Sequence, residues 1–346
     1  MLQRRLLACE SHRGHDLLLA SKKMRLHFMP CRTLSATIHK MIVNVPTSAE
    51  FYQSGKELFN FAWDATSNLL TEFDHADHYG YDKTEISEKY WAAARRTLTT
   101  SLTIVQQGVE IVLKGRIAEV SPYLLVSDPP SRWPSPYDGK PIDFSRFRTV
   151  DAQDLVRILD TFSDRLFPDE FVARFHSLRE QRNTIMHSVG SSTSIAVTEV
   201  IDAILYMHKS LFPSESWATN RRQFLENGPD SELGSGEYAT NRTCWEFSIV
   251  KDLLDPAQVF AYMGVDKKQR AYLCPTCLDN ANRDDGFTFK LAVLRPKDPT
   301  ATRLYCPVCN AERVVKRGHC EDKDCPGNVI DEESGYCLTC GEQGTD

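Results

Sequence analysis

The sequence predicts a mainly α protein, in which an up-and-down helical bundle is followed by a small β-containing, cysteine-rich region. Between positions 46 and 212, apolar residues recur every three or four positions over several long segments, as in amphipathic helices that share a core. Between positions 274 and 340, eight of the eleven cysteines form four close pairs. A chain of 346 residues is long enough for both parts.

Charge is unevenly distributed along the chain. Residues 1–45 contain eight Lys or Arg and two acidic residues, a net charge of +6, so the remainder carries −12 within an overall −6. A negative body argues against a protein whose whole surface binds nucleic acid. We predict that residues 1–45 form a disordered arm. The alternatives are an extension upstream of a start at Met24 or Met41, an RNA-binding arm and an organelle transit peptide.

The sequence gives no indication of a membrane protein. No apolar run approaches the roughly 20 residues that a membrane span needs, and no convincing signal peptide begins the chain. In a reducing compartment, close cysteine pairs are more typical of metal sites than of disulfides. We therefore expect a cytoplasmic protein with no membrane partner.

The helices of the bundle can be placed from capping signals and apolar spacing. Thr47 and Glu50 form a capping-box pattern at the start of the first helix. Six prolines between Pro122 and Pro141 exclude regular structure there and predict a long excursion between helices. The predicted helices are 48–73, 84–118, 151–166, 169 to the region of Arg182, and a last one from about Val197 to Leu211.

Two further segments connect the bundle to the cysteines. Residues 213–243 are rich in Ser, Asn, Gly and Glu and predict a linker. After it, Trp245, Phe247 and Ile249 alternate as in a strand and predict a segment that docks the cysteine-rich region onto the bundle. The predicted domains are thus an arm at 1–45, a bundle at 46–212, a linker at 213–243, and the docking segment with the cysteine-rich sites at 244–346.

The cysteine pairs have the spacing of two structural zinc sites, as in zinc ribbons and knuckles. Two of the pairs are Cys-Pro-x-Cys turns, and four thiolates are a ligand set that Zn²⁺ prefers. We predict two zinc ions per chain, with strand-like residues 287–294 in the small sheet of a zinc ribbon. A swap of partners between pairs, or His319 replacing one ligand, is the alternative. The predicted ligands are Cys274, Cys277, Cys306 and Cys309 at one site and Cys320, Cys325, Cys337 and Cys340 at the other.

The charge of the cysteine-rich region suggests what it contacts. Residues 272–346 hold nine basic and thirteen acidic residues, a net charge of −4 before thiolates are counted. We expect this region to contact a protein partner or regulator, or only to stabilise the fold, rather than to bind a phosphate backbone directly. A local basic strip at 313–317 is the feature that favours nucleic acid.

A charged residue interrupts one apolar stripe. Phe171, Phe175, Leu178 and Ile185 lie at helical spacing, and Arg182 occupies a position of the same stripe. An unpaired guanidinium in a core costs several kcal/mol or more. We therefore expect Arg182 to face a cleft or a subunit interface.

Two polar residues accompany this arginine. Asn183 can hydrogen-bond either Arg182 or a phosphate group. His187 lies about 140° from Arg182 on a continuous helix, and we expect the helix to end early enough for His187 to turn towards the same cleft. The alternative is that Arg182 pairs with a carboxylate such as Glu180 or Glu199, and that His187 only ends the helix.

The segment 178–188, Leu-Arg-Glu-Gln-Arg-Asn-Thr-Ile-Met-His-Ser, resembles the motif of the HEPN domain, the nucleotide-binding domain of higher eukaryotes and prokaryotes. Active members of that family carry Arg-x4-6-His, often with Asn after the Arg. The likeness covers the motif helix, and over 46–212 it is one of architecture. It implies a metal-independent RNA endonuclease that acts as a homodimer through the bundle.

In such a dimer, two Arg/His sets form one composite site, which here places Arg182, Asn183 and His187 in catalytic positions. One histidine takes the 2′-hydroxyl proton and the other protonates the leaving oxygen, while arginine stabilises the phosphate charge. The family analogy suggests a toxin or antiviral defence effector. The alternative is a non-catalytic HEPN-like interaction or nucleotide-binding module whose zinc ribbons mediate protein contacts.

Overall fold

The two long N-terminal helices form where the sequence predicts them. In this computed structural model, α1 (Ser48–Asp74) begins with the predicted capping box. The Thr47 hydroxyl accepts a hydrogen bond from the Glu50 amide at 3.3 Å, and the Glu50 carboxylate accepts one from the Thr47 amide at 2.7 Å. These bonds satisfy backbone groups that a first helical turn leaves without partners. After a short turn, α2 (Lys83–Val120) runs back along α1.

The predicted arm and the loop after the motif helix lie largely outside the described residues. The structure describes residues 41–135, 140–163, 166–187, 194–232, 237–281 and 287–342. Of the arm, only the stretch from position 41 is described, and it includes β1 (Ile42–Val43), which pairs in parallel with β2 (Ile142–Asp143).

The remaining helices confirm a mainly α architecture. Isolated 3-10 turns at Pro122–Leu125 and Pro130–Arg132 occupy the proline-rich excursion. Across the described part of the chain, no helix is both long and apolar enough to cross a membrane. The helices after α2 are α3 (Leu155–Phe162), α4 (Asp169–His187), α5 (Val197–Leu211), α6 (Trp217–Glu226), α7 (Glu237–Leu253), α8 (Pro256–Met263) and α9 (Pro275–Asn280).

The region after α5 differs most from the expectation. Residues 213–243, expected to be a linker, contain α6 and the beginning of α7. The strand expected around Phe247 was wrong, because these residues form the middle of α7. The buried face of α7 carries Thr243, Cys244 and Glu246 beside Phe247. Polar residues on the buried face therefore conceal the apolar periodicity that normally identifies a helix.

The core of the helical part lies where α1, α2, α4 and α5 meet. Close approach of α1 and α2 depends on Gly108, where a Cβ would lie 2.8 Å from the Phe59 ring and 3.2 Å from the Gly55 carbonyl oxygen. This contact also fixes the axial register of α1 relative to α2. Fully buried members of the core include Phe59, Trp63, Val105, Val109, Val112, Phe171, Phe175, Ile201 and Ile204.

A buried ionic cluster joins α1, α6 and α7. The Glu246 carboxylate accepts both Nε and Nη2 of Arg221 at 3.0 Å, the indole N–H of Trp63 at 2.7 Å, and Nε of Arg242 at 2.9 Å. Arg221 also pairs with Asp64. Both Arg221 and Glu246 are fully buried, so this cluster exchanges the hydration of two charges for direct hydrogen bonds.

The C-terminal part is an antiparallel sheet, which confirms a β-containing region after the helices. Strand order follows the sequence, β3-β4-β5-β6-β7, and neighbouring strands are all antiparallel. The sheet is joined to the helical part through α7, which contacts both α9 and β4. The strands are β3 (Ala271–Leu273), β4 (Lys290–Leu294), β5 (Arg303–Cys306), β6 (Ala311–Arg317) and β7 (Val329–Asp331).

Candidate functional site

The motif residues lie on the last two turns of α4. The buried stripe of this helix consists of Phe171, Phe175 and Leu178, and Arg182 is exposed instead of continuing it. The helix also runs through His187, so the expectation that it ends before this residue was wrong. Arg182 and His187 consequently leave the helix about 140° apart. Within one chain they do not share a face.

Arg182 lines a polar pocket of about 280 Å³ formed by α2, α4 and the turn before α3. His187, which is also exposed, is outside its lining. Polar and charged side chains dominate the pocket, which suits a hydrophilic or charged ligand. The side chains that matter for its chemistry are Gln106, Glu110, Asp151, Arg179, Arg182 and Asn183.

The two carboxylates in this pocket already have cationic partners outside it. Lys114 Nζ lies 2.9 Å from Glu110 Oε1, one turn along α2. Arg148 Nη2 lies 3.0 Å from Asp151 Oδ2. The negative charges of the pocket are therefore at least partly compensated by Lys114 and Arg148.

The two guanidinium groups, by contrast, have no carboxylate partner among the described residues. Arg179 Nη1 lies 3.0 Å from Nδ1 of His176, and Arg182 Nη1 donates to Oδ1 of Asn183 at 3.2 Å. A guanidinium carries five N–H donors in a planar fork. Both arginines thus retain donors and positive charge for an anion in the pocket.

The structure also tests the alternative that Arg182 pairs with a nearby carboxylate. Within the described ranges, neither Glu180 nor Glu199 forms an ion pair with Arg182. The Glu199 carboxylate instead accepts a hydrogen bond from the Ala196 amide at 3.2 Å, at the start of α5. The arginine is therefore not neutralised by either of these two acids.

Sequence reasoning missed several residues of this pocket, and Arg179 is the one among them that lies on the motif helix. Arg179, Asn183 and His187 follow one another at intervals of four residues, so they occupy one face of α4, and Arg182 is three residues from Arg179. This spacing was visible in the sequence. An arginine at an exposed helical position is so common, however, that spacing alone did not distinguish it.

The cysteines form two clusters, each with the membership that the sequence predicts. Within each cluster, all four sulfur atoms lie within 4.8 Å of one another. A tetrahedral ion bound at the Zn–S length of about 2.3 Å would separate its sulfur ligands by roughly 3.8 Å. The structure has Sγ–Sγ distances of 3.7 Å for Cys274–Cys309 and for Cys277–Cys306, and of 3.4 Å for Cys320–Cys340 and 4.0 Å for Cys325–Cys337. Both clusters could hold a metal ion.

Hydrogen bonds within the first cluster shift the pKa values of its cysteines in opposite directions. Hydrogen bonds from the neighbouring thiols of Cys274, Cys277 and Cys306 lower the pKa of Cys309 well below its usual range. Hydrogen bonding to Cys244, and then to Cys274, raises the pKa of Cys277 instead. A bound cation would remove this asymmetry, because it stabilises every thiolate at once. Cys244 is a buried residue of α7, so the cluster also contacts the helical part.

No protein-family model matches this chain, and neither a curated protein nor a solved structure matches it. The likeness to the HEPN motif consequently comes from residues 178–188 and stays a prediction.

Proposed function

We propose that the protein is a metal-independent RNA endonuclease of HEPN type that acts as a homodimer, with Arg182, Asn183 and His187 in its composite site. The observation that carries this proposal is that Arg179 and Arg182, which have no carboxylate partner among the described residues, line one polar pocket. A phosphodiester offers two anionic oxygens, which suit the paired N–H donors of a guanidinium.

A complete site needs a second copy of the chain. Because Arg182 and His187 lie on different faces of α4, the histidine that completes the pocket is His187 of the partner subunit. Met186, at the same end of the helix, is 61% exposed and offers an apolar side chain that a dimer would cover.

The chemistry then follows from the residue types. One histidine accepts the proton of the 2′-hydroxyl, the 2′-oxygen attacks phosphorus, and the bond from phosphorus to the 5′-oxygen breaks. The second histidine donates a proton to that leaving oxygen. Arg182, with Arg179 beside it, stabilises the negative charge that builds on the non-bridging oxygens. The products are a 2′,3′-cyclic phosphate and a 5′-hydroxyl.

In this proposal the two cysteine clusters hold structural zinc. Four protein ligands leave no open coordination position, so the metal stabilises the sheet and takes no part in catalysis. The acidic character of residues 272–346 favours contact with a protein partner or regulator. A regulated cytoplasmic nuclease of this kind suits a toxin or defence effector.

One feature of the pocket favours a second candidate, a non-catalytic nucleotide-binding module. Glu110 and Asp151 lie in the same pocket, whereas His187 lies outside it. Carboxylates repel the backbone of a long RNA more strongly than they repel a single phosphate group. This candidate predicts nucleotide binding without cleavage.

Cleavage of single-stranded RNA in EDTA tests the proposal. We expect Arg182→Ala and His187→Ala each to lower the rate by about 100-fold or more, the range for loss of an acid–base group or charge stabiliser. Arg96→Ala, which removes an exposed arginine elsewhere on α2, is the matched control and should leave the rate unchanged. Zinc content measured after the incubation excludes loss of the structural metal as the cause.

Two results would contradict the proposal. Undiminished cleavage by either motif variant would show that the activity arises elsewhere. Wild-type protein that binds nucleotides but never cleaves RNA would favour the nucleotide-binding module.

A further inference from the structure

A second pocket lies between α1 and α6 and has no part in the proposed cleavage site. Its volume is about 410 Å³, within the range of small-ligand sites. The walls combine aromatic rings, those of Phe61 and Phe224, with amide side chains, including Asn60, Asn220 and Gln223. This composition differs from that of the arginine pocket and points to a different ligand chemistry.

The aromatic rings form a corner that is open to solvent. Their centroids are 5.9 Å apart and their planes meet at 80°. Phe61 is 55% exposed, although it belongs to the well-packed helix α1. An exposed ring face beside a cavity is a stacking platform for a planar ligand.

The polar floor of the pocket is rigid. Asn60 is 1% exposed, and its Nδ2 donates to Oδ1 of Asn220 at 2.9 Å, while its Oδ1 faces Nη1 of the buried Arg221 at 3.5 Å. Within the described part of the chain, Nδ2 of Asn220 and the side-chain amide of Gln223 make no hydrogen bond. Asn220 thus offers a donor on an amide that Asn60 holds in place, and the exposed Gln223 offers a donor and an acceptor.

The lysine of the pocket is paired, because Lys56 Nζ lies 2.6 Å from Glu215 Oε2. The Glu57 carboxylate accepts a hydrogen bond from Gln53 Nε2 at 2.9 Å and keeps its negative charge. With no unpaired cation for an anionic group among its described lining residues, the pocket suits an uncharged, flat ligand with donors and acceptors along its edge. A nucleobase has this chemistry, and Asn and Gln amides complement base edges.

We propose that this pocket binds an unpaired nucleobase, which stacks on Phe61 and hydrogen-bonds to Asn220 and Gln223. Its source is either a single-stranded RNA or a free nucleotide. The contact between Gly108 and Phe59 puts this part of α1 level with the α2 residues of the arginine pocket.

The binding of labelled oligonucleotides by fluorescence anisotropy tests this site without depending on cleavage. The probe is a 2′-O-methyl oligoadenylate, which lacks the 2′-hydroxyl nucleophile. An abasic strand of equal length is the comparison probe without bases. We expect Phe61→Ala to weaken binding of the oligoadenylate about 5- to 150-fold, the effect of losing one stacked base, and to leave binding of the abasic strand unchanged. Phe61→Trp retains a ring and should retain the affinity.

Phe260→Ala is the matched control, because Phe260 on α8 is 66% exposed and belongs to neither pocket. Adenosine monophosphate as competitor distinguishes the sources. If adenosine monophosphate displaces the oligoadenylate at equal concentration, the site binds free nucleotides. If displacement needs a large excess, the site binds RNA.

The base pocket is excluded if the wild type binds the abasic strand as tightly as the oligoadenylate, or if Phe61→Ala and Phe260→Ala weaken binding equally. Arg182→Ala protein should keep its preference for strands with bases. The cleavage assay and the binding assay therefore test the two sites separately.

Discussion

The arginines of α4 differ from one another in their ion pairing. Arg174, five residues before Arg179 on α4, is paired with Glu170 at 3.1 Å and Asp202 at 2.6 Å. Arg179 and Arg182 have no such partner among the described residues, although they lie on the same helix. A charge that the fold leaves without a counter-ion is a reasonable place to expect a ligand anion.

Arg179→Ala should weaken the binding of single-stranded RNA about 10- to 100-fold, because it removes a charge-assisted hydrogen bond to phosphate. Arg179→Lys should restore little of this loss, since an ammonium cannot donate two parallel hydrogen bonds. Titration at two salt concentrations checks the assignment. Unchanged affinity and salt dependence in Arg179→Ala would remove this residue from the RNA site.

His208 on α5 is a buried histidine whose protonation opposes folding. Among the described residues, its Nε2 has no hydrogen-bond partner, and the carboxylate oxygen Oε2 of Glu215 lies 3.9 Å away. Trp217 and Phe212 pack against its ring. Burial, aided by the positive charge of Lys56, lowers the pKa of His208 to about 3 from an ordinary value of 6.5. The folded protein therefore keeps this ring neutral at pH values where the unfolded chain protonates it.

This histidine predicts a pH dependence of stability with a definite sign. Its contribution is complete above pH 6.5 and is lost as the pH falls from 6.5 towards about 3, by about 1.4 kcal/mol per pH unit. His208→Gln should flatten that slope in urea unfolding between pH 7 and pH 5. His78→Gln, a change at an exposed histidine, controls for the substitution itself, and an equal slope in His208→Gln and wild type would refute the prediction.

The sequence was informative about residues whose chemistry depends on spacing. The cysteine pairs predicted both clusters, because a tetrahedral thiolate site requires close pairs of ligands. The interrupted apolar stripe of α4 identified Arg182 as unusual. Its exposure depends on where neighbouring helices end, which apolar periodicity does not reveal. Arg179 and Asn220 could not be assigned to pockets from the sequence, because residues of other helices form the remaining walls.

Among the secondary-structure elements, α6 and α7 depend on the buried ionic cluster. Burial alone would raise the pKa of Glu246, but Arg221, Arg242 and the Trp63 indole outweigh it and lower this pKa. Glu246 is therefore ionised at neutral pH. Its charge links both helices to α1.

Glu246→Gln should destabilise the protein by about 3–5 kcal/mol at pH 7, because it leaves the buried Arg221 without its main counter-ion. Arg148→Ala, which breaks an exposed pair with Asp151, should cost about 1 kcal/mol or less. Urea unfolding of both variants at pH 7 compares them. Similar losses would show that the buried cluster contributes no more than a surface pair.

The same cluster explains why α7 was mistaken for a strand. A helix that buries Thr243 and Glu246 shows no continuous apolar stripe, while Trp245, Phe247 and Ile249 imitate the alternation of a strand. By contrast, α1 was predicted to within one residue, since its capping box and apolar face both belong to local sequence.

For the molecule as a whole, the cysteine clusters connect distant parts of the C-terminal region. We expect about two zinc ions per chain in metal analysis, and a value near zero would contradict the assignment. Gly327 allows a specific test, because a Cβ there would lie 2.2 Å from Cys337 Sγ and 3.2 Å from Cys325 Sγ. Gly327→Ala should therefore lower the content to about one ion. Gly80→Ala is the control for metal content, because nothing lies within 4 Å of a Cβ there and the strain at its φ of +81° is remote from the clusters.

The whole molecule combines a helical part that carries two unlike pockets with a sheet whose two cysteine clusters could each hold a metal ion. We propose that the arginine pocket binds phosphate and that the amide-lined pocket binds a base of single-stranded RNA. In the proposed dimer, contact through the end of α4 supplies the second histidine.

The most direct test is the identity of the cleavage product. RNA is incubated in EDTA with wild-type protein and with Arg182→Ala, and fragment ends are determined by mass spectrometry. We predict 2′,3′-cyclic phosphate and 5′-hydroxyl ends from the wild type, none from Arg182→Ala, and no cleavage where the attacking 2′-hydroxyl is replaced by hydrogen. Cleavage at the 2′-deoxy position, or identical products from both proteins, would contradict an Arg182-dependent RNA endonuclease.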